Sequence, residues 1–310
     1  MFKKLTYFLL SGTLTMTALF TSCSDNADRE NDKVASPQNI GTILNALPER
    51  SERSESENQC TVNIDGEIDI TGEGAWFEGN TLTISEGGEY RLSGNIIDGC
   101  LYIETEDDVK LILDGLKVYN SEGAAVYCYK AKNLYIELAG DKENVFSDCA
   151  EYTFEGRNES AEEKEPDAAL YSNSDITFGG SGILKINGSY GCGIRCGGEI
   201  SLNGGTITVN AVGHGIKSGA VSMSDGNVTL TAGKNGILSD SEVNKGDIVI
   251  SGGKITVDSA DNCISSAEGI KVTGGIITLF SEDGEGFSSI EKPNIEGGQI
   301  DFFKKDEKAA

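Results

Sequence analysis

The sequence predicts an all-β chain wound as a right-handed parallel β-helix with three strands per coil. Three observations carry that prediction. First, one short phrase recurs as Gly193-Ile194-Arg195-Cys196, Gly215-Ile216-Lys217-Ser218, Gly236-Ile237-Leu238-Ser239, Cys263-Ile264-Ser265-Ser266 and Gly286-Phe287-Ser288-Ser289, its central apolar residues 22, 21, 27 and 23 residues apart. Second, two further phrases recur between them in fixed order. One is Glu199-Ile200-Ser201-Leu202, Ala220-Val221-Ser222-Met223, Asp247-Ile248-Val249-Ile250 and Gly269-Ile270-Lys271-Val272; the other is Gly205-Thr206-Ile207-Thr208-Val209, Gly226-Asn227-Val228-Thr229-Leu230, Gly253-Lys254-Ile255-Thr256-Val257 and Gly275-Ile276-Ile277-Thr278-Leu279. Third, the chain holds 40 glycines and only 4 prolines, which suits tight corners. Apolar alternation with period two marks half-buried strands, and a fixed period of this size marks a solenoid. An antiparallel sandwich also strings short strands between turns, but it does not repeat three phrases in one order. Parallel crossovers run right-handed.

Coils stacked at the strand spacing of about 4.8 Å turn equivalent positions into columns. Val126, Leu170, Ile194, Ile216, Ile237, Ile264 and Phe287 are expected to point inward on one face. Leu184, Ile207, Val228, Ile255, Ile277 and Ile300 are expected to do so on another. Cys128, Ser172, Cys196, Ser218, Ser239, Ser266 and Ser289 form a small polar ladder two residues along from the first column. Thr208, Thr229, Thr256 and Thr278 form an outward ladder, where β-branched side chains fit a pleated surface.

Residues 1–22 read as a lipoprotein signal: Lys3-Lys4, an apolar run from Leu5 to Phe20, and Leu19-Phe20-Thr21-Ser22 before Cys23. The run is too short and too broken by Thr, Ser and Gly for a membrane span. Cleavage before Cys23 and lipidation of its sulfur would anchor the protein without spanning; the alternative is an ordinary secretory signal with an incidental cysteine. Ser24-Asp25-Asn26-Ala27-Asp28 resembles the acidic signal that sends some lipoproteins of Gram-negative bacteria to the outer face of the outer membrane, so an outer-membrane location is expected, with cell-surface exposure left open. Residues 23–60 are polar and charged and read as a flexible tether. The β-helix is expected over 61–303, with 61–100 as its cap and clear coils from about residue 100. Dividing that length by the period gives roughly eleven coils. Asp148 to Asp167, rich in glutamate, is expected to leave the stack as a solvated loop, and 304–310 to form a frayed charged tail.

The formal net charge is −25, and −27 once Lys3 and Lys4 leave with the signal. Such a chain is not held to nucleic acid by phosphate contacts. The carboxylate excess points either to divalent cations or to a solvated surface. Seven cysteines remain after Cys23: Cys60, Cys100, Cys128, Cys149, Cys192, Cys196 and Cys263. An odd number cannot pair completely, and no zinc-like spacing is present. Cys60 and Cys100 could bridge in the cap; Cys192 and Cys196 lie about 13 Å apart along one strand, too far.

Glu89-Tyr90-Arg91-Leu92-Ser93-Gly94, Val109-Lys110-Leu111-Ile112-Leu113-Asp114-Gly115, Ser121-Glu122-Gly123-Ala124-Ala125-Val126-Tyr127 and the Gly-Ile-Lys/Arg-Ser/Cys repeats resemble a group of secreted bacterial β-helix proteins. That group binds polysaccharide, cellulose or acidic pectin chains, with calcium, and is similar in shape to pectate lyases. The resemblance covers about residues 80–303. It implies a polysaccharide partner and calcium as the cofactor. The group's aspartate pair before Gly-Ile is replaced here by Gly213-His214, Lys234-Asn235, Asp261-Asn262 and Gly284-Glu285. Two candidate calcium corners remain: Asp261, Asn262, Asp283 and Glu285, and Asp240, Glu242 and Glu268. Calcium takes six to eight oxygens, which stacked corners can supply. The alternative is a plain hydrogen-bonded turn ladder through Asn235 and Asn262.

The outward column beside the first inward one holds Tyr127, Tyr171, Arg195 and Lys217, with Leu238, Ser265 and Ser288 beyond. Arg195 and Lys217, one coil apart, could grip an acidic sugar on which the two tyrosines stack; scattered solvent-facing side chains are the alternative. His214 is expected to fill a corner. Three functions follow: a non-catalytic, surface-anchored polysaccharide binder; a calcium-dependent uronate lyase with Lys217 or Arg195 as base; or an adhesive surface protein. The first is the reading the sequence favours, since the acidic ladder a lyase would use is degraded.

Overall fold

The computed structural model describes residues 58–153, 166–240 and 246–305, and every regular element among them is a strand. The alternation dictates which side of each strand is buried. In Leu134–Leu138, for example, Leu134, Ile136 and Leu138 are buried while Tyr135 and Glu137 face out. The strands form a ten-stranded and a sixteen-stranded sheet. The ten-stranded sheet carries the Gly-Ile repeats. Its strands pair in parallel from Thr81–Ile84 to Phe287–Ser289, and Ala75–Glu78 closes one edge antiparallel to Thr81–Ile84. The other two faces of the coil merge into the sixteen-stranded sheet, because strands such as Glu199–Ala211 and Ala220–Ala232 run through their shared corner unbroken. The architecture is a parallel β-helix.

The ten-stranded sheet counts nine parallel strands and one antiparallel strand, so the described residues make about nine coils, fewer than eleven. Two antiparallel strands at the start, Glu67–Thr71 and Ala75–Glu78, and the excursions after Ser147 and Ser239 use the remaining length.

Register follows the columns read from sequence. Val126, Leu170, Ile194, Ile216, Ile237, Ile264 and Phe287 are successive partners, and Leu101 and Leu82 continue the column toward the cap. Leu184, Ile207, Val228, Ile255, Ile277 and Ile300 form the second column, with Thr208, Thr229, Thr256 and Thr278 side by side on the outside. Full burial of an aliphatic side chain contributes about 1.5–3 kcal/mol, so each added coil seals the one before it. The small polar ladder caps the turns that follow its strands. Ser172 Oγ donates to the Ser174 carbonyl at 2.7 Å, Ser218 Oγ to that of Ala220 at 2.6 Å, and Ser266 Oγ to that of Gly269 at 3.0 Å.

At the corner shared by the two merged faces, a left-handed glycine recurs, from Gly94 at φ 94° through Gly205 at 79° to Gly298 at 88°. A Cβ on Gly94 would meet the Ile64 carbonyl oxygen at 2.0 Å, so neither the dihedral nor the space admits a side chain. Beside this corner lies a fully buried asparagine. Asn144 Oδ1 accepts from the Gly115 and Leu116 amides, both at 2.8 Å, and Nδ2 donates to the Ile183 carbonyl at 3.0 Å. One side chain thereby ties three coils where the ladder bends.

Four expectations need adjustment. Cys60 and Cys100 form no bridge with each other; Cys60 sits buried in one sheet and Cys100 on a strand of the other. The 148–167 insertion is not wholly solvated, because Asp148 and Tyr152 pack back onto the barrel wall. The tail begins later than Lys304, which ends the strand Gln299–Lys304, while Lys305 pairs with Asp258. The first strand starts at Gln59, and the expected signal, the expected lipidation site Cys23 and nearly all of the expected tether lie outside the described residues.

Two stability outcomes follow. Gly94→Ala should lower the unfolding free energy by about 2 kcal/mol or more in urea melts, since it combines a strained dihedral with a backbone clash; an unchanged midpoint would refute the corner argument. Asn144→Ala should cost about 3 kcal/mol, because it strands two buried amides. A loss under about 0.5 kcal/mol would show that the amides find other partners.

Candidate functional site

The face that matters is the outside of the ten-stranded sheet. Alternation aims every second residue outward, and in-register pairing stacks these residues along the helix axis. From the capped end the stack reads Trp76, Thr83, Tyr102, Tyr127, Tyr171, Arg195, Lys217, Leu238, Ser265 and Ser288. Aromatic residues occupy the first half, two cations the middle and neutral residues the far end. Tyr127, Tyr171, Arg195 and Lys217 are therefore brought together in the expected order.

Their environment differs from the expectation. Tyr171 is only 3% exposed and Tyr127 only 9%, so their ring faces are not open for a sugar. They pack edge to face at 5.5 Å, in a cluster with Ala124, Ala168 and Cys192. The start of the insertion helps cover them. Tyr152 packs against this cluster, stacks on Tyr190 at 4.1 Å, and donates its hydroxyl to Asp148 Oδ2 at 2.6 Å. Burial pushes the Asp148 carboxyl above the usual carboxylate range despite that bond. The physical reason for the correction is area: a tyrosine beside a loop gains more by contact with it than by facing water.

Arg195 and Lys217 are both answered within the protein. Arg195 pairs with Asp167, at the end of the same insertion, and its guanidinium carbon lies 5.9 Å from the Tyr171 ring centroid. Lys217 Nζ pairs with Asp240 at 2.9 Å. An incoming carboxylate would have to displace a resident one in each case. His214 sits at the corner before Lys217; burial first, then Lys217 and Lys234, hold its imidazole below the usual histidine range.

At the candidate calcium corners the described side chains are exposed or engaged in hydrogen bonds and ion pairs. Among the described residues, no three His, Cys, Asp or Glu side chains lie where they could hold a metal. Asp261, Asp283 and Glu285 are exposed. The Asn262 side-chain oxygen accepts the Glu285 amide at 2.8 Å, and the Asn235 oxygen accepts the Asn262 amide at 3.0 Å. These asparagines form the turn ladder that was the alternative reading. At the second corner Asp240 is spent on Lys217, Glu268 is exposed, and Glu242 lies outside the described residues.

Three residues that the sequence reading passed over offer the open aromatic surface instead. Trp76, the chain's only tryptophan, is 45% exposed at the head of the column. Tyr102, two strands along, is partly exposed, and its hydroxyl donates to Glu104 Oε2 at 2.8 Å. Tyr129, also partly exposed, lies nearly parallel to Tyr102 with centroids 6.5 Å apart. Their signal was present in the alternation of Ala75-Trp76-Phe77-Glu78 and Leu101-Tyr102-Ile103. Trp76 stands outside the repeated phrases, however, because its strand is an antiparallel cap.

Comparison with known proteins places this geometry. A solved structure described as the polysaccharide lyase-like protein from C. thermocellum, a gadolinium derivative, superposes with a TM-score of 0.71 at 29% identity, covering 78% of this chain and 99% of that one. A carbohydrate-binding domain-containing protein of Acetivibrio thermocellus is 35% identical over 132 residues. That match takes in 42% of this chain and 45% of the relative, so it spans under half of the relative's length. The family described as carbohydrate-binding domain-containing protein matches residues 78–308, most of the folded region, and the chain belongs to that family.

Proposed function

We propose that this protein is a non-catalytic polysaccharide binder, held to the outer membrane by a lipid on Cys23 and using the outside of its ten-stranded sheet to take the glycan. The observation that carries the reading is the outward column itself. Trp76 and Tyr102 stand on it two strand spacings apart along the helix axis, on a long rigid wall that suits an extended polymer rather than a small molecule. Family membership over 78–308 supports a carbohydrate as the ligand. The name of the structural neighbour raises a lyase as the second reading. Proton abstraction from a uronate needs a free base beside the bound carboxylate, and the two candidates, Lys217 and Arg195, are each engaged by an aspartate. The anchor reading rests on the sequence from Lys3 to Cys23 and the acidic residues after it.

On a glycan array the protein should retain polysaccharides, and incubation with polygalacturonate should yield no unsaturated product absorbing in the ultraviolet. Steady product formation would replace binding by lysis; an empty array with no product would leave an adhesive protein. Wild-type protein should incorporate a fatty-acid analogue, whereas Cys23→Ala should not and should leave the membrane fraction. Equal labelling of the two would remove the anchor.

A further inference from the structure

The outward column is not uniform along its length, and its open aromatic part lies at the capped end. Ala75 and Phe77 pack against the core, which turns Trp76 between them outward. Trp76 is in register with Thr83, and Thr83 with Tyr102, so the two aromatic side chains stand two strand spacings apart. Two spacings come to about 9.6 Å along the axis. Between them stands only threonine, small enough to leave a shallow trough. Tyr102 is fixed from two sides: Tyr127 meets it edge to face at 5.6 Å, and Glu104 accepts its hydroxyl. A platform that is already ordered loses little entropy when a ligand lies on it.

Carboxylates outnumber cations around this trough. Glu78 follows Trp76 outward on its own strand, and Glu104 follows Tyr102 on the next but one. Both are exposed. The nearest basic residue on the neighbouring strand, Lys130, is paired with Glu106. Carboxylates here can accept hydrogen bonds from sugar hydroxyls, but they repel a uronate. In an extended β-1,4-linked chain, alternate pyranose rings present the same face, so aromatic groups two sugars apart engage equivalent faces. Resting on the polysaccharide-binding reading above, we infer that Trp76, Thr83 and Tyr102 form a binding site for an uncharged, extended β-linked glycan, lying along the helix axis with two alternate sugars stacked on Trp76 and Tyr102. The acidic-sugar specificity expected of Arg195 and Lys217 is thereby replaced by a neutral one, set three to six strands nearer the cap.

Because Trp76 is the only tryptophan, its emission reports directly on the site. Titrating the full-length protein in detergent with cellohexaose should shift or quench that emission, and raising the salt concentration should leave the affinity unchanged, since no charges pair. Cellobiose, too short to reach both rings, should bind about tenfold more weakly or worse. By calorimetry, Trp76→Ala and Tyr102→Ala should each weaken cellohexaose by about tenfold or more. Trp76→Phe should recover most of the loss, and Ser265→Ala, on the same column at the far end, should change nothing. Thermal melts of each variant separate a lost platform from a lost fold, and the Phe variant keeps the test valid if Trp76→Ala is unstable. Binding of hexagalacturonate but not cellohexaose would overturn this site while leaving polysaccharide binding intact. Cellohexaose binding unaffected by Trp76→Ala would overturn it equally. Failure to bind any polysaccharide would remove both this site and the function on which it rests.

Discussion

Every property of this protein depends on one constraint: each strand must hydrogen-bond in register to its counterpart in the next coil. A slip of one residue would send the inward column, Val126 through Phe287, out into water and bring its outward neighbours into the core. The cost of that exchange, multiplied over the coils, is what fixes the register. The left-handed glycines and Asn144 act within this constraint. They settle where the chain bends so that the next strand arrives in the right place.

In-register stacking also turns a repeated sequence into a functional surface. Outward positions that are some twenty residues apart in the chain become neighbours at about 4.8 Å. A gradient of residue types along the repeats becomes a gradient along the molecule: aromatic at the cap, cationic in the middle, neutral beyond. Which part of that gradient is open to a ligand depends on what departs from the repeat. The insertion after Ser147 packs Tyr152 against the cluster that holds Tyr127 and Tyr171 and supplies Asp167 to Arg195. The excursion after Ser239 starts with Asp240, which engages Lys217. The two departures from regularity thus engage the middle of the column, while Trp76 at the capped end is exposed.

The same pairings bear on chemistry. Catalysis on a uronate requires a group free to take a proton and a cation free to hold the carboxylate. Arg195 and Lys217 have the right identities, but each already has a carboxylate partner. A wall of fixed aromatic rings needs neither feature in order to bind.

The sequence by itself determined the fold class, the inward columns, the threonine and serine ladders and the order of the outward column. All of these depend only on periodicity, which a repeating chain writes openly. It also carried the asparagine turn ladder as one of two readings of Asn235 and Asn262. Tertiary structure decided what periodicity cannot express. The burial of Tyr127 and Tyr171 goes with a side-chain cluster that takes in Tyr152, from a segment outside the repeat. The pairing of Arg195 and Lys217 depends on aspartates from segments with no counterpart in other coils. The exposure of Trp76 depends on an antiparallel cap strand that breaks the pattern by which the other strands were recognised. Repeats fix where side chains point, because pointing is local; they do not fix what covers those side chains, because covering comes from parts of the chain outside the repeat.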